Sequence, residues 1–376
     1  MSGRVTRVVV AGQVPPPWGG QNVMVAQALD SLRADSDLEI LHLAFHFTRD
    51  WQAHRRIGLG KVWELIAVIL RLIRIRLSGR IDCMLFPFGG PHVAPLVRDM
   101  ALLPFCFAAS RQVMLHIHAG GMAEALPELP GALARLAPLV YGRCTGAIVL
   151  TEYSRADAES VGIRNIHVVP NTLPDTYSLS FVNRPVSEKI RLLAVGHLGV
   201  PKGTPTLLRA VAGLRDRGHE ISLTLIGEPL PPYSANALAE LIRALDLGDV
   251  VDVAGVVIGE GKWRAFGSAD LFVFPSTAPE SQPLVLIEAM MWGLPIVATD
   301  WRAHAEILGV PPGGICYPPE PGPALERALE TAIAARDLFG AWGEDNRRRY
   351  EQLFDAANPH LRRFVERWCT SASSTN

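Results

Sequence analysis

Two doubly wound α/β domains in tandem are the fold this sequence predicts, on three observations. Short apolar strands alternate with helical patterns through the first half, as in a parallel sheet covered by helices. After Pro170-Asn171 the chain runs through a polar, proline-containing stretch to about Glu188. The alternation then restarts at Arg191, and a restart after a linker implies a second domain with its own core. At 376 residues, 49% apolar and 19% charged, the chain is long enough for both.

The first domain, residues 1–180, is expected to place strands at Val8 to Ala11, Leu38 to Leu43, Cys83 to Phe86, Val113 to Ile117, Ala147 to Leu150 and His167 to Val169. The second, residues 188–355, is expected to place them at Arg191 to Val195, Ser222 to Ile226, Val250 to Val253, Leu271 to Phe274 and Pro295 to Ala298. Each is a short apolar run bounded by turn residues. Residues 356–376 form the tail: Asn358 to Cys369 reads as an amphipathic helix and Ser371 to Asn376 as a frayed end.

Composition narrows the function. A formal net charge of −1 gives no global electrostatic reason to bind nucleic acid. Five scattered cysteines, none paired at metal or redox spacing, argue for a reducing compartment. The N-terminus runs straight into Val8-Val9-Val10 without the apolar core of a signal peptide, and no uncharged run is long enough to cross a bilayer. The expectation is a cytoplasmic protein that touches at most the inner face of a membrane.

The most informative stretch is Glu280-Ser-Gln-Pro-Leu-Val-Leu-Ile-Glu288, followed by Ala-Met-Met-Trp-Gly-Leu-Pro-Ile-Val-Ala-Thr299. On one helix, residues eight apart would point about 80° away from each other. Pro283, favoured at a first helical position, places the helix start there with Gln282 as its cap. Glu280 then lies in the loop before the helix and Glu288 on its second turn. The N–H groups of Leu284, Val285 and Leu286 would be open at that start, where phosphate is attracted. The chemistry implied is a ligand carrying both phosphate and hydroxyls.

This segment resembles the Glu-x7-Glu signature of retaining glycosyltransferases with the GT-B fold, family 4-like, glycosyl transferases group 1. Gln282-Pro283 stands where that family usually has Phe-Gly. The resemblance implies two Rossmann-like domains facing an interdomain cleft, with Glu288 on the ribose of a nucleotide and Glu280 on the donor sugar. Three further segments fit it. Val195-Gly-His-Leu-Gly-Val-Pro-Lys-Gly203 ends a strand in a glycine-flanked loop before a helix near Thr204. A lysine there is often mere surface charge, but the segment is similar to the family's Gly-Arg-x(n)-Lys-Gly, which binds the donor diphosphate. Lys202 carries over, and His197 stands in place of the arginine. Ala11-Gly-Gln-Val-Pro-Pro-Pro-Trp-Gly-Gly-Gln21 precedes a helix from about Asn22 and lacks the Gly-x-Gly-x-x-Gly of a dinucleotide site. It reads equally as a rigid proline loop or as the family's Gly-Gly loop, whose Gly19 and Gly20 would face the donor phosphate.

Leu115-His116-Ile117-His118-Ala-Gly-Gly121 closes another strand, with both histidines on one face. Two histidines without a third ligand nearby make a poor metal site. The resemblance instead puts His118 on the reacting sugar. Asp35-Ser36-Asp37 is formally an Asp-x-Asp motif in a place where turns favour aspartate, and it reads as a turn.

The resemblance thus implies a metal-independent, retaining, hexosyltransferase-type enzyme. It would take a UDP- or GDP-sugar as substrate, with no cofactor, and act on a saccharide or lipid-linked acceptor. A non-catalytic GT-B nucleotide-sugar-binding subunit, or a GT-B epimerase or phosphorylase, is the alternative. Finally, residues 49–80 interleave arginines, among them Arg71, Arg74 and Arg76, with Trp51, Trp63 and aliphatics. That pattern suits either a helix in an anionic membrane interface or a core helix with a solvated basic face.

Overall fold

The computed structural model describes residues 5–16, 19–34, 38–47, 59–182, 188–309, 313–320 and 323–373. The Asp35–Asp37 turn, Pro17-Trp18 and residues 49–58 of the basic segment lie outside them. The chain divides into two compact units. One holds residues 1–171, 279–282 and 359–376, and the other 172–278 and 283–358.

The first unit begins β1 (Thr6–Gly12), α1 (Gly20–Arg33), β2 (Leu38–Ala44), α2 (Leu59–Leu77), β3 (Ile81–Pro87), α3 (Val93–Ala109) and β4 (Ser110–Ile117). It continues with α4 (Met122–Ala125), α5 (Gly131–Tyr141), β5 (Gly146–Val149), α6 (Arg155–Ser160) and β6 (Ile166–Val168). The strands form a parallel sheet in the order β2-β1-β3-β4-β5-β6. Strand alternation splits its apolar residues between two layers. Val9, Met84, Leu115 and Ile117 pack with Val68 and Leu72 of α2, Leu96 and Leu103 of α3, and Ala137 and Tyr141 of α5. Val8, Val10, Leu85 and Met114 pack on the other side with Val25 and Leu29 of α1.

The second unit runs β7 (Ile190–Val195), α7 (Thr204–Asp216), β8 (Ile221–Ile226), α8 (Ala235–Ala244), β9 (Val251–Gly255), α9 (Glu260–Ser268) and β10 (Leu271–Phe274). There follow α10 (Leu284–Met291), β11 (Ile296–Thr299), α11 (His304–Leu308), β12 (Gly314–Tyr317), α12 (Ala324–Ala334) and α13 (Phe339–Leu353). Its parallel sheet has the order β12-β11-β10-β7-β8-β9. The last helix, α14 (His360–Ser373), belongs to the first unit, where Phe364, Val365, Trp368 and Cys369 join the layer against α1 and β3.

Three sequence expectations need correction. The strand β12 was not anticipated, because Gly314-Ile-Cys-Tyr317 is short and embedded in glycines and prolines. The helix α1 starts at Gly20, not Asn22, because Gly19 adopts extended backbone and caps it. Ser371–Ser373 continues α14 where a frayed end was expected. No helix among the described residues is long and apolar enough to cross a membrane.

Candidate functional site

The second unit gathers its candidate residues at the carboxyl ends of β7 and β10. After β7 the chain forms a single 3₁₀ turn, Val200–Lys202, and enters α7 through Gly203. Gly203 has φ 71°, and a Cβ there would stand 2.2 Å from the Pro275 carbonyl oxygen, so only glycine lets the loop settle against β10's end. The Gly199 N–H donates to Thr204 Oγ1 at 3.0 Å, and the Thr277 N–H to the Pro201 carbonyl at 2.9 Å. So held, His197 and Lys202 line one pocket with Gly196, Thr204 and Pro275.

Helix α10 starts at Leu284 with Pro283 as its cap, one residue later than the sequence suggests. The Leu286 N–H donates to the Pro283 carbonyl at 3.1 Å, so it is not open as expected. Leu284 and Val285 remain the N–H groups at the helix's mouth. Further along α10, Glu288 is buried at 8% exposure. Its Oε1 accepts from Lys262 Nζ at 2.6 Å, while Oε2 is buried with no hydrogen-bond partner among the described residues. Burial pushes this carboxyl above its usual range, and the Lys262 ammonium pulls it part of the way back.

Lys262, on α9, is a candidate site residue that the sequence does not reveal. No spacing links it to Glu288; the available signal was the general one that a buried carboxylate requires a counter-charge. Its ammonium also stands 5.1 Å from the Trp263 ring centroid, and Trp263 stacks on Trp292 at 6.3 Å and 12°.

The first unit assembles the rest. His116 and His118 share a sheet face as expected, with ring centroids 4.0 Å apart and Ile117 in the opposite layer. Burial lowers His116 to about 4. It lowers His118 well below the usual range, aided by His116, so both are neutral at ordinary pH. Both His118 ring nitrogens are buried without a hydrogen-bond partner among the described residues.

The loop after His118 is fixed by Asp157, buried on α6. Its Oδ2 accepts from the Gly121 N–H at 3.2 Å and its Oδ1 from the Ala123 N–H at 2.9 Å. Loop 279–282 packs here: Glu280 makes an antiparallel bridge with Ala119, and Gly121, at φ 94°, approaches Pro279. The sequence therefore correctly separates Glu280 from Glu288, which lie in different units.

Gln282, expected to cap α10, does something else. Its Oε1 accepts from the Asn171 N–H at 2.8 Å, which fixes the amide's orientation. Its Nε2 and the Ser281 Oγ are buried without partners among the described residues. Unsatisfied buried groups are rare and cost about 1–3 kcal/mol each; these two directly follow Glu280 in sequence, and Glu280 bridges to Ala119, the residue after His118. Gly19 caps α1 and Gly20 opens it, which leaves their backbone approachable at that helix start. Among the described residues, no three or more His, Cys, Asp or Glu side chains cluster as a metal site would require.

Residues 189–335, which contain His197, Lys202, Glu280, Leu284, Val285 and Glu288, match the family described as Glycosyl transferases group 1. A phosphatidyl-myo-inositol mannosyltransferase of Mycobacterium leprae is 31% identical over 189 residues, 48% of each chain. The chain spans about half the length of the curated relatives it matches. Sucrose-phosphate synthase from Thermosynechococcus elongatus has the same fold, with TM-score 0.76 at 17% identity over 98% of this chain and 100% of that one. The Anabaena protein HepE, solved with UDP and glucose, gives TM-score 0.73 at 17% identity over 97% and 100%. Residues 189–335 thus resemble the glycosyl transferases of group 1, and nearly the whole chain has the GT-B fold of the solved glycosyltransferases.

Proposed function

We propose that this chain moves a sugar from a nucleotide-diphosphate sugar to a saccharide or lipid-linked acceptor in surface polysaccharide or glycoconjugate biosynthesis. The reaction retains anomeric configuration and uses no metal ion. The observation that carries the reading is Glu288: a buried carboxylate with one oxygen on Lys262 and the other without a partner among the described residues, within the family match. Its Oε2 accepts from a ribose hydroxyl, and the Lys262 ammonium favours the carboxylate form that does so, against the effect of burial.

Lys202, His197 and the N–H groups of Leu284 and Val285 hold the diphosphate, and the Gly19 and Gly20 backbone supplies further donors. These groups are worth most as charge develops on the leaving phosphate. His118, neutral, exchanges hydrogen bonds with the sugar beside the anomeric carbon. Glu280 accepts from the sugar's hydroxyls. The acceptor hydroxyl attacks from the side on which the phosphate leaves. Five free cysteines suit the cytoplasmic side, and the basic 49–80 segment suits attachment to its membrane.

A thermal-shift panel of UDP-, GDP- and ADP-sugars identifies the donor, because ligand binding raises apparent stability by mass action. Product analysis with the labelled donor then tests the reaction. Transfer to an acceptor supports it. Epimerised nucleotide sugar, phosphorolysis, or donor retained unchanged would each replace it with the alternative that product names.

A further inference from the structure

Helices α2, α3 and α5 cover one side of the first unit's sheet and contact one another in that order. Their inner faces fill the core, so their outer faces should be polar. Instead, Val62, Trp63, Ile66, Leu70, Ile73 and Leu77 are exposed on α2, with Trp63 69% and Leu77 83% accessible. Their spacing follows the helical repeat, so they form one stripe along all of α2. The stripe does not stop there. The outer face of α3 carries Val93, Val97 and Phe105 exposed, and α5 carries Leu136 and Leu139. Contiguous exposed apolar surface on this scale marks an interaction site.

Charge decides the occupant. The three helices hold two carboxylates, and both are engaged: Glu64 accepts from Arg71 at 2.7 Å, and Asp99 is fully buried against Arg98. Arg71 also donates to the Ala44 carbonyl at 3.0 Å, which makes it a tie between α2 and β2. Arg74 and Arg76 on α2 and Arg135 on α5 are exposed, and no exposed carboxylate stands on these helices. The exposed acids nearest in sequence, Glu124 and Glu128, precede α5. A second copy of this face would bring cations against cations, whereas an anionic surface would meet both the arginines and the apolar stripe.

We propose that the outer α2–α3–α5 face docks on an anionic bilayer, and that the acceptor is a lipid-linked one drawn from that bilayer. The face reaches the site's edge, because α3 begins a short turn after Pro87, the strand partner of His116. This goes beyond the basic 49–80 segment in including α3 and α5 and in excluding Arg71. The acceptor assignment rests on the transferase reading.

The test is flotation with vesicles of phosphatidylcholine, with and without phosphatidylglycerol, in the absence of nucleotide. Wild type should float with the anionic vesicles and be released by salt. Arg74→Ala with Arg76→Ala should weaken partitioning about 25-fold, roughly fivefold per arginine. Val97→Glu with Phe105→Glu, on the helix outside the basic segment, should abolish it while thermal unfolding and UDP or GDP binding stay unchanged. Flotation indifferent to lipid charge, or unaffected by the α3 substitutions, would overturn the proposal. So would a stable dimer that the same substitutions dissociate. A protein that floats but transfers no sugar would leave docking standing and sink the transferase reading instead.

Discussion

Lys262→Met removes the counter-charge from Glu288 while keeping an unbranched apolar side chain at that position. Glu288 is 8% exposed, so its carboxylate would be left buried and unpaired. Breaking a buried pair this way costs about 3–5 kcal/mol. The protein has one escape, which is to protonate the carboxyl. From a reference pKa of about 4.3, that costs about 5 kcal/mol at pH 8 but only about 1 kcal/mol at pH 5. Burial already holds the folded carboxyl above its unfolded value, so stability from the protonated form is present in acid and lost as pH rises through the folded value. The loss from Lys262→Met should therefore be about 3–5 kcal/mol at pH 8, shrinking to about 1 kcal/mol at pH 5. In calorimetry of a unit this size, the pH 8 loss lowers the transition by roughly 6–20 °C. Adding Glu288→Gln should restore most of it, because both charges are then gone. A loss equal at both pH values, or not recovered in the double variant, would show that the pair is not electrostatic in origin and would detach Lys262 from the site.

Lys202→Ala should lower turnover by about 30- to 1,000-fold, the loss of roughly 2–4 kcal/mol, with little change in donor affinity; unaltered turnover removes Lys202 from the chemistry. His197→Arg should flatten the alkaline limb of turnover at donor saturation, because guanidinium stays charged where imidazolium is lost, and identical limbs would mean that His197 does not meet phosphate. Gly121→Ala, forced into left-handed backbone 3.0 Å from the Pro279 Cβ, should cost about 1–2 kcal/mol and lower turnover further by displacing loop 279–282. Wild-type kinetics in that variant would argue that the loop's position is unimportant.

The strands read well from sequence because a strand buried on both faces is a continuous apolar run, as in Leu271-Phe-Val-Phe274, where expectation and structure coincide. The parting of Glu280 from Glu288 was legible for a similar reason, since Pro283 punctuates the chain between them. Side-chain partnerships were not. Nothing local says that Lys262 reaches Glu288 across 26 positions, or that Gln282 turns to Asn171 and away from its own helix. Residues 49–80 announced a basic amphipathic helix, but Arg71 serves Glu64 and Ala44, a role that only tertiary packing assigns. The exposed stripe on α3 was illegible because a helix whose only charges are the adjacent Arg98 and Asp99 reads as core whichever side it turns outward.

The stacked Trp263 and Trp292 give the protein its own optical reporter. Both indoles lie beside the Lys262–Glu288 pair, and Lys262 sits over one of them. Any ligand that engages Glu288 must shift the ammonium's field on that ring. Such a shift moves an indole's emission, so donor occupancy should be readable from intrinsic fluorescence without a label. Trp263→Phe, in a chain with eight tryptophans, would separate that signal from the background.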